Sequence, residues 1–348
     1  MAHDPFVSII VPVRNEARYI ERCLYALARQ DYPRDRFEVI VVDGMSDDET
    51  PQIIARFAAE STLDLHMLRN PDRSTAPGLN LGLAHARGDL GRADVICRVD
   101  GHAAVAPDYL RRSVDALYDS GADCVGGVIR SEGDTYAGRA IALAMSSRFG
   151  VGGAEFRTGG EGEADTVAFG AYRRDVFDRL GDFADIDRGE DDEFNYRLRA
   201  SGGRILLVPD IAVTYTVRGS LWGLCRQYFG YGRAKAEVLR RHPAQARPRQ
   251  FVPAAFAGAL AASILAARKG RRGPLAALLA VYTLAATIVS LSLAFRHGWR
   301  YAPALLIAFP CLHLSYGLGS FAGGMGLGGG ILTRSARPGT RESTEAQP

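Results

Sequence analysis

Three short β-branched runs, each stopping at a polar residue, limit the folds open to this chain more than any other feature. Residues 7–13 (VSIIVPV) run into Arg14, Asn15 and Glu16, residues 37–42 (FEVIVV) stop at Asp43-Gly44, and residues 94–99 (DVICRV) stop at Asp100. Runs this short and this apolar predict strands buried on both faces. Between the first two, Ile20, Leu24 and Leu27 fall on one helical face before Tyr32-Pro33 ends the helix. After the second, Asp47 or Asp48 is placed to cap a helix that carries Pro51 in its first turn. A further strand is expected over residues 63–68, and a helix from the turn-rich stretch 70–78 to about Arg87. Successive β-α units with buried strands call for an α/β fold, a mostly parallel sheet with helices on both faces. Ligands of such sheets bind outside the carboxyl ends of the strands, so Asn15, Asp43 and Asp100 should converge on one edge.

Beyond residue 107 the pattern continues with a helix and strand to 129, then loses clear periodicity over the Gly-rich stretch 131–165, read as a partly helical, mobile excursion. Residues 166–172 (TVAFGAY) read as a strand, and 173–180 as a helix. A second helix is expected over 190–200, a strand pair over 204–208 and 211–217 around Pro209-Asp210, and a helix from Ser220 to about Arg241. Three apolar blocks follow, at 251–267, 274–295 and 301–321. A spanning helix needs about 20 apolar residues, which the second and third supply, while the first is short and Ala-rich. Basic clusters at 268–272 and 334–341 should both remain on the cytosolic side, which a two-helix hairpin satisfies with the first block lying at the interface. The expected organisation is therefore a nucleotide-binding domain over 1–242, a membrane-associated helical region over 243–332, and a basic, polar, disordered tail over 333–348.

Composition narrows the functions. With 47% hydrophobic and 23% charged residues the chain can bury a sizeable core. A net charge of +3 with no basic stripe interleaved with aromatics gives no support to nucleic-acid binding. The five cysteines form no C-x-x-C pair, which fits buried thiols in a reducing compartment. The first residues carry no basic stretch ahead of an apolar run of signal length, so the head is expected in the cytosol.

The head carries V-P-V-R-N-E, V-V-D-G-M-S-D-D-E-T, R-V-D-G-H, G-E-D-D-E-F-N-Y-R-L and R-Q-Y-F-G-Y-G-R, in that order. Together these resemble the family 2 glycosyltransferases of GT-A fold, a Rossmann-like nucleotide-diphospho-sugar transferase architecture. Within them the pattern is most similar to the ExoA-type enzymes of succinoglycan biosynthesis, which share D-G-H, the D-T-V-A-F-G-A-Y-R-R stretch and the R-Q-Y-F-x-Y-G-R helix. The resemblance covers about residues 6–242 and continues loosely into the tail.

That resemblance implies roles for particular residues. Asp43 would accept the imide N–H of a uracil ring, although an aspartate at a strand end can equally be an N-cap. Pro12, Asn15 and Glu16 would shape the nucleotide pocket or simply end the strand, and Arg73 would lie near the diphosphate or be an ordinary loop arginine. Asp100 and His102 stand where the family usually has Asp-x-Asp, and would hold Mn²⁺ or Mg²⁺ on the donor diphosphate. Imidazole is a poorer ligand for magnesium, so Mn²⁺ is expected to serve better; a loop histidine without metal is the bland alternative. Asp191 would be the base that takes the acceptor proton, with Asp192 as its substitute, though acids at a helix start also serve the helix dipole. Phe169, Gly170, Asp192 and Gln227 would face the acceptor, although Gly170 can equally be a plain β-bulge glycine. The helix around Gln227 looks like a variant of Q-x-x-R-W lacking its Arg-Trp end, which favours single-sugar addition over polymerisation.

The implied activity is inverting transfer of a sugar, expected to be glucose, from a UDP-sugar to a hydroxyl of a polyprenyl-diphosphate-linked or other lipid-linked saccharide. It would serve exopolysaccharide or cell-envelope glycan assembly at the inner (cytoplasmic) membrane, with the catalytic domain facing the cytoplasm. Two other classes remain open: a non-catalytic nucleotide-sugar-binding membrane subunit, and a dinucleotide-dependent oxidoreductase. Against the latter, Arg14-Asn15-Glu16-Ala17 stands where a Gly-x-Gly-x-x-Gly turn would follow the first strand.

Overall fold

The computed structural model describes residues 4–88 and 91–326. The chain opens with three β-α units: β1 (Val7–Val13), α1 (Ile20–Ala28), β2 (Phe37–Asp43), α2 (Thr50–Glu60), β3 (Leu65–Arg69) and α3 (Thr75–Arg87). Next come β4 (Val95–Arg98), β5 (Ala103–Val105), α4 (Tyr109–Ser120) and β6 (Cys124–Glu132). The Gly-rich excursion contains α5 (Tyr136–Met145), α6 (Arg148–Val151), α7 (Glu155–Thr158) and β7 (Gly162–Glu163). The head closes with β8 (Ala168–Arg173), α8 (Arg174–Leu180), α9 (Glu190–Ala200), β9 (Ile205–Thr216) and α10 (Leu221–Arg241). The tail consists of α11 (Pro248–Arg268), α12 (Gly273–His297) and α13 (Ala302–Gly324).

One nine-stranded sheet runs β3-β2-β1-β4-β8-β6-β9-β5, with β7 on β9. Strands β3, β2, β1 and β4 are mutually parallel, as the crossover helices require, and β8 enters antiparallel between β4 and β6. Every residue of β2 is buried, and β1 is buried except at Pro12. Pro12 is tolerated in this central strand because β4 pairs with β1 only as far as Ile10, so no ladder partner faces the missing N–H. The early end of β4 also leaves room for the Asp100-Gly101-His102 turn before β5.

Two expectations are corrected here. The predicted strand pair around Pro209-Asp210 is a single strand, β9, because its exposed Pro-Asp step forms a bulge instead of a turn. Opposite that bulge sits Gly127, where an added Cβ would lie 1.5 Å from the Ile211 carbonyl oxygen. The cap of α2 is also shared differently: Glu49 is the N-cap, and the Asp48 carboxylate accepts from the Thr50 and Ala17 N–H groups.

The tail packs onto the head through glycines. A Cβ at Gly232 of α10 would lie 2.0 Å from the Tyr316 carbonyl oxygen, and one at Gly319 of α13 would lie 2.0 Å from that of Phe229. Leu305, Phe309 and Leu312 of α13 join the same buried cluster as the sheet residues Val11, Val125 and Val213. Elsewhere the tail presents bare apolar side chains, Val281, Leu284, Ile288 and Phe295 among them. Three helices, Pro248–Arg268, Gly273–His297 and Trp299–Gly324, are long and apolar enough to cross a membrane, so the first block is longer than its sequence alone suggested. The basic cluster at 334–341 and the tail over 333–348 lie outside the described residues.

Candidate active site

The loops leaving the carboxyl ends of β1, β2 and β4 open onto one cavity of about 780 Å³. Its wall includes Pro12, Glu16, Arg73, Asp100, His102, Phe169, Asp191, Asp192 and Gln227. Strain accumulates around this rim. All four non-glycine residues with left-handed φ among those described, Asn15, Met45, Arg73 and Phe169, lie in or beside the rim loops.

The Asp100-Gly101-His102 turn is fixed by close packing. A Cβ at Gly101 would come within 2.6 Å of Val13 Cγ1, so only glycine lets the turn lie flat on β1. His102 Nδ1 lies 2.9 Å from Glu16 Oε1, and its ring meets Tyr215 edge-on at 4.9 Å. With Nδ1 donating to Glu16, Nε2 is left buried without a partner, its lone pair free. A carboxylate on one ring nitrogen and a free lone pair on the other is the arrangement of a metal-ligating histidine. Asp100, one residue away, supplies the hard oxygen that a divalent cation beside a diphosphate prefers. The donor set therefore fits Mn²⁺ or Mg²⁺. Without an ion, burial opposes protonation of His102, but the Glu16 hydrogen bond and charge outweigh it and raise its pKa, so a cation at Nε2 takes the place of a proton.

Behind the turn lies a group the sequence reading missed. Arg98, the last residue of β4, donates to Asp100 Oδ1 at 3.2 Å through two nitrogens, pairs with Glu190 at 2.9 Å and approaches Asp191 Oδ2 at 3.7 Å. Burial opposes its charge, yet Asp100, Glu190 and Asp191 more than offset that, so the guanidinium stays protonated. Its signal was present in R-V-D-G-H, since residues two apart near a strand end share a face.

Asp191 and Asp192 open α9, behind Gly189 in a left-handed N-cap. They are not equivalent. Asp192 forms an ion pair with Lys235 of α10, and its own N–H donates to Asp191 Oδ1 at 2.9 Å. Asp191 keeps only the shared Arg98 charge, and 38% of its side chain remains accessible from the cavity. Burial raises its pKa to about 6, Arg98 pulling it down and Glu190 and Asp192 pushing it up. A carboxylate poised near neutrality on an open cavity wall is suited to accept a proton.

Three expected site residues are not among those that line the cavity. Asp43 is 3% exposed behind the wall made by Val42 and Gly44, and both its oxygens accept from the Ser46 N–H at 3.2 Å. Asn15 is turned to the β2 exit loop, where Oδ1 accepts from the Asp47 N–H at 3.0 Å. Both brace the rim; neither lines the cavity. Gly170 faces the core, since a Cβ there would meet the Tyr172 ring at 2.8 Å and Cys124 Sγ at 3.0 Å, leaving Phe169 alone to reach the cavity. Gln227 does reach it, donating to the hydroxyls of Tyr215 and Tyr231 at 3.0 and 2.8 Å with its Oε1 unpartnered.

A second set of metal-ligating side chains, Glu38, His66 and His85, brings its ligand atoms within 4.8 Å of one another. It lies at the amino ends of β2 and β3 and the last turn of α3. Glu38 is five residues before Asp43, about 16 Å at the usual strand rise, so this set cannot serve a ligand at the cavity.

Comparison with known proteins bears on the family and the fold. The profile of the family described as "Glycosyl transferase family 2" matches residues 8–181. The succinoglycan biosynthesis protein ExoA of Rhizobium meliloti (strain 1021) is 31% identical over 316 residues, 89% of this chain and 92% of that protein. A dolichyl N-acetyl-alpha-D-glucosaminyl phosphate 3-beta-D-2,3-diacetamido-2,3-dideoxy-beta-D-glucuronosyltransferase of Methanococcus voltae is 28% identical, over 68% of this chain and 74% of its own. Among solved structures, the mannosyltransferase PcManGT from Pyrobaculum calidifontis, in complex with GDP-Man and Mn²⁺, superposes with a TM-score of 0.56 at 25% identity, over 88% of this chain and 86% of that one. The sheet order, the site at its carboxyl edge and these likenesses identify the fold as GT-A. The chain belongs to glycosyltransferase family 2.

Proposed function

We propose that the protein transfers a sugar, expected to be glucose, from a UDP-sugar to a hydroxyl of a lipid-linked saccharide, with inversion at the anomeric carbon. The observation that carries this reading is the single cavity that joins Asp191, Asp100 and His102 to Val252, Pro253 and Leu312 of the apolar tail helices. An acceptor tethered in a bilayer would reach the base from that side, and tethering holds it at high effective concentration. The reading places the head, residues 1–242, on the cytoplasmic face of the inner membrane and residues 243–332 in or on the bilayer.

Pro12, Glu16 and Arg73 line the donor side, with Asn15 and Asp43 fixing the rim loops behind them. Asp100 and His102 would hold Mn²⁺ or Mg²⁺, which neutralises charge on the departing diphosphate when bound. Asp191 takes the acceptor's hydroxyl proton as that oxygen forms its bond to the anomeric carbon. The bond from that carbon to the β-phosphate oxygen breaks, and UDP leaves with the electron pair. One carboxylate suffices because the leaving group needs no protonation, unlike the two-carboxylate chemistry of glycoside hydrolysis. Asp192, neutralised by Lys235, and Phe169 and Gln227 border the acceptor space.

The test is UDP release by purified full-length protein, screened over UDP-sugars with lipid-linked saccharides from membrane extracts and followed by linkage analysis of the product. Turnover confined to one UDP-sugar, lost on chelation and dependent on the lipid fraction, is the expected result. Turnover that ignores chelation and added lipid would overturn it.

A further inference from the structure

The cavity holds positive charge that no carboxylate answers. Two of the arginines that line it are engaged by acids. Arg98 is shared by three acids, and Arg249 pairs with Asp165. Arg14, Arg73, Arg157, Arg188 and Arg218 also line the cavity, and none of them has an acidic partner among the described residues. Arg157 Nη1 is buried with no hydrogen-bond partner, and its guanidinium stands 5.5 Å from the ring centres of both Phe156 and Tyr215. Arg218 follows the end of β9 and lines the same cavity. A buried guanidinium nitrogen without a partner is costly unless a ligand satisfies it.

The position of Arg157 says which ligand. Its segment, α6 to α7, is tied to the tail: His313 Nε2 lies 2.8 Å from the Phe149 carbonyl oxygen, and Arg249 donates to that of Gly153 at 3.1 Å. The donor's diphosphate has its own partners at the strand ends, in Arg73 and the Asp100-His102 pair. A second anionic group flanked by aromatic rings and by apolar tail residues has the chemistry of an amphiphile's head. Paired guanidinium forks match phosphate oxygens in geometry as well as charge.

We propose that Arg157 and Arg218 form a subsite for the diphosphate of a prenyl-diphosphate-linked acceptor, seating its sugar toward Asp191. This rests on the lipid-linked reading above and assigns the residues that recognise the carrier.

The experiment titrates farnesyl diphosphate, a short prenyl diphosphate without a sugar, into full-length protein in detergent with UDP and Mn²⁺ saturating, so that the donor side is filled. Saturable binding is expected. Arg157→Gln and Arg218→Gln should each weaken it by about tenfold, the loss of one charge-assisted contact, with Arg157→Lys intermediate. Their affinity for UDP should stay within about twofold, which also reports that the variants are folded, and farnesol should not distinguish them from wild type. Absence of saturable binding by wild type, unchanged binding by the variants, or an equal loss of UDP affinity would each overturn the assignment. In the last case the arginines serve the donor. Arginine-dependent binding of farnesyl diphosphate without transfer to any lipid-linked saccharide would uphold the subsite and refute the acceptor reading, so the two failures are separable.

Discussion

Replacing Arg98 with glutamine removes the one cation that Asp100, Glu190 and Asp191 share, and its consequence for the base can be worked from distances. The Nη1 to Asp191 Oδ2 separation is 3.7 Å, which gives roughly 4.5 kcal/mol at an effective dielectric of about 20. Asp191 is 38% exposed to the cavity, so solvent screening reduces this to about 1 to 2 kcal/mol. That equals about one pKa unit. The sign follows from the charge: a nearby cation favours the carboxylate, so its loss raises the pKa. Because the working form of the base is deprotonated, the acidic limb of the rate profile must move up, from about 6 to roughly 7. The assay is initial rate of UDP release between pH 5 and 9 at saturating Mn²⁺ and donor. Loss of support for Asp100 also lowers the plateau, so the limb's position is the diagnostic quantity. A limb that stays in place, or moves down, would refute the electrostatic coupling of Arg98 to the base.

Three further outcomes are expected. Glu16→Gln, which weakens the hold on His102 Nδ1, should lower Mn²⁺ affinity in the presence of UDP by about 10- to 100-fold, measured by electron paramagnetic resonance titration. Gly101→Ala places a Cβ 2.6 Å from Val13 Cγ1 and should cost about 1–3 kcal/mol, seen as a lower melting temperature together with weaker Mn²⁺ binding. Gly319→Leu, whose Cβ would lie 2.0 Å from the Phe229 carbonyl oxygen, should part α13 from α10 and expose that junction to limited proteolysis.

Much of the scaffold was legible because its signals are local. The buried runs of β1 and β2 stop at polar residues where the strands stop, and the helices over 190–200 and from Ser220 keep their predicted limits. The strand pair at Pro209 was misread because a Pro-Asp step looks the same in a turn and in an exposed bulge, and the decisive partner, Gly127, lies 84 residues upstream of Ile211. In the excursion over 131–165, α6 and α7 are four residues each, too short for periodicity to register, and the segment is held by distant contacts to the tail. At the site, Asp100, His102 and Asp191, which line one cavity, were legible as candidates from their motifs. Their neighbours Arg98 and Lys235 were not, since their importance lies in which acids they face across the fold. What surrounds Gly170 and Asp43 was equally illegible: a Cβ at Gly170 would meet Tyr172 and Cys124, and the Asp43 carboxylate accepts from the Ser46 N–H of its own loop.

The central claim, that Asp191 is the base at a cation-bearing donor site, is tested most directly by Asp191→Asn in the UDP-release assay with UDP·Mn²⁺ affinity measured on the same preparation. The amide keeps the side chain's shape and can still accept from the Asp192 N–H, so the donor should bind as in wild type. Turnover should fall by about 10² to 10⁴, the usual contribution of a positioned base. Turnover within a few-fold of wild type, with donor binding intact, would contradict the account and move the proton to another acceptor.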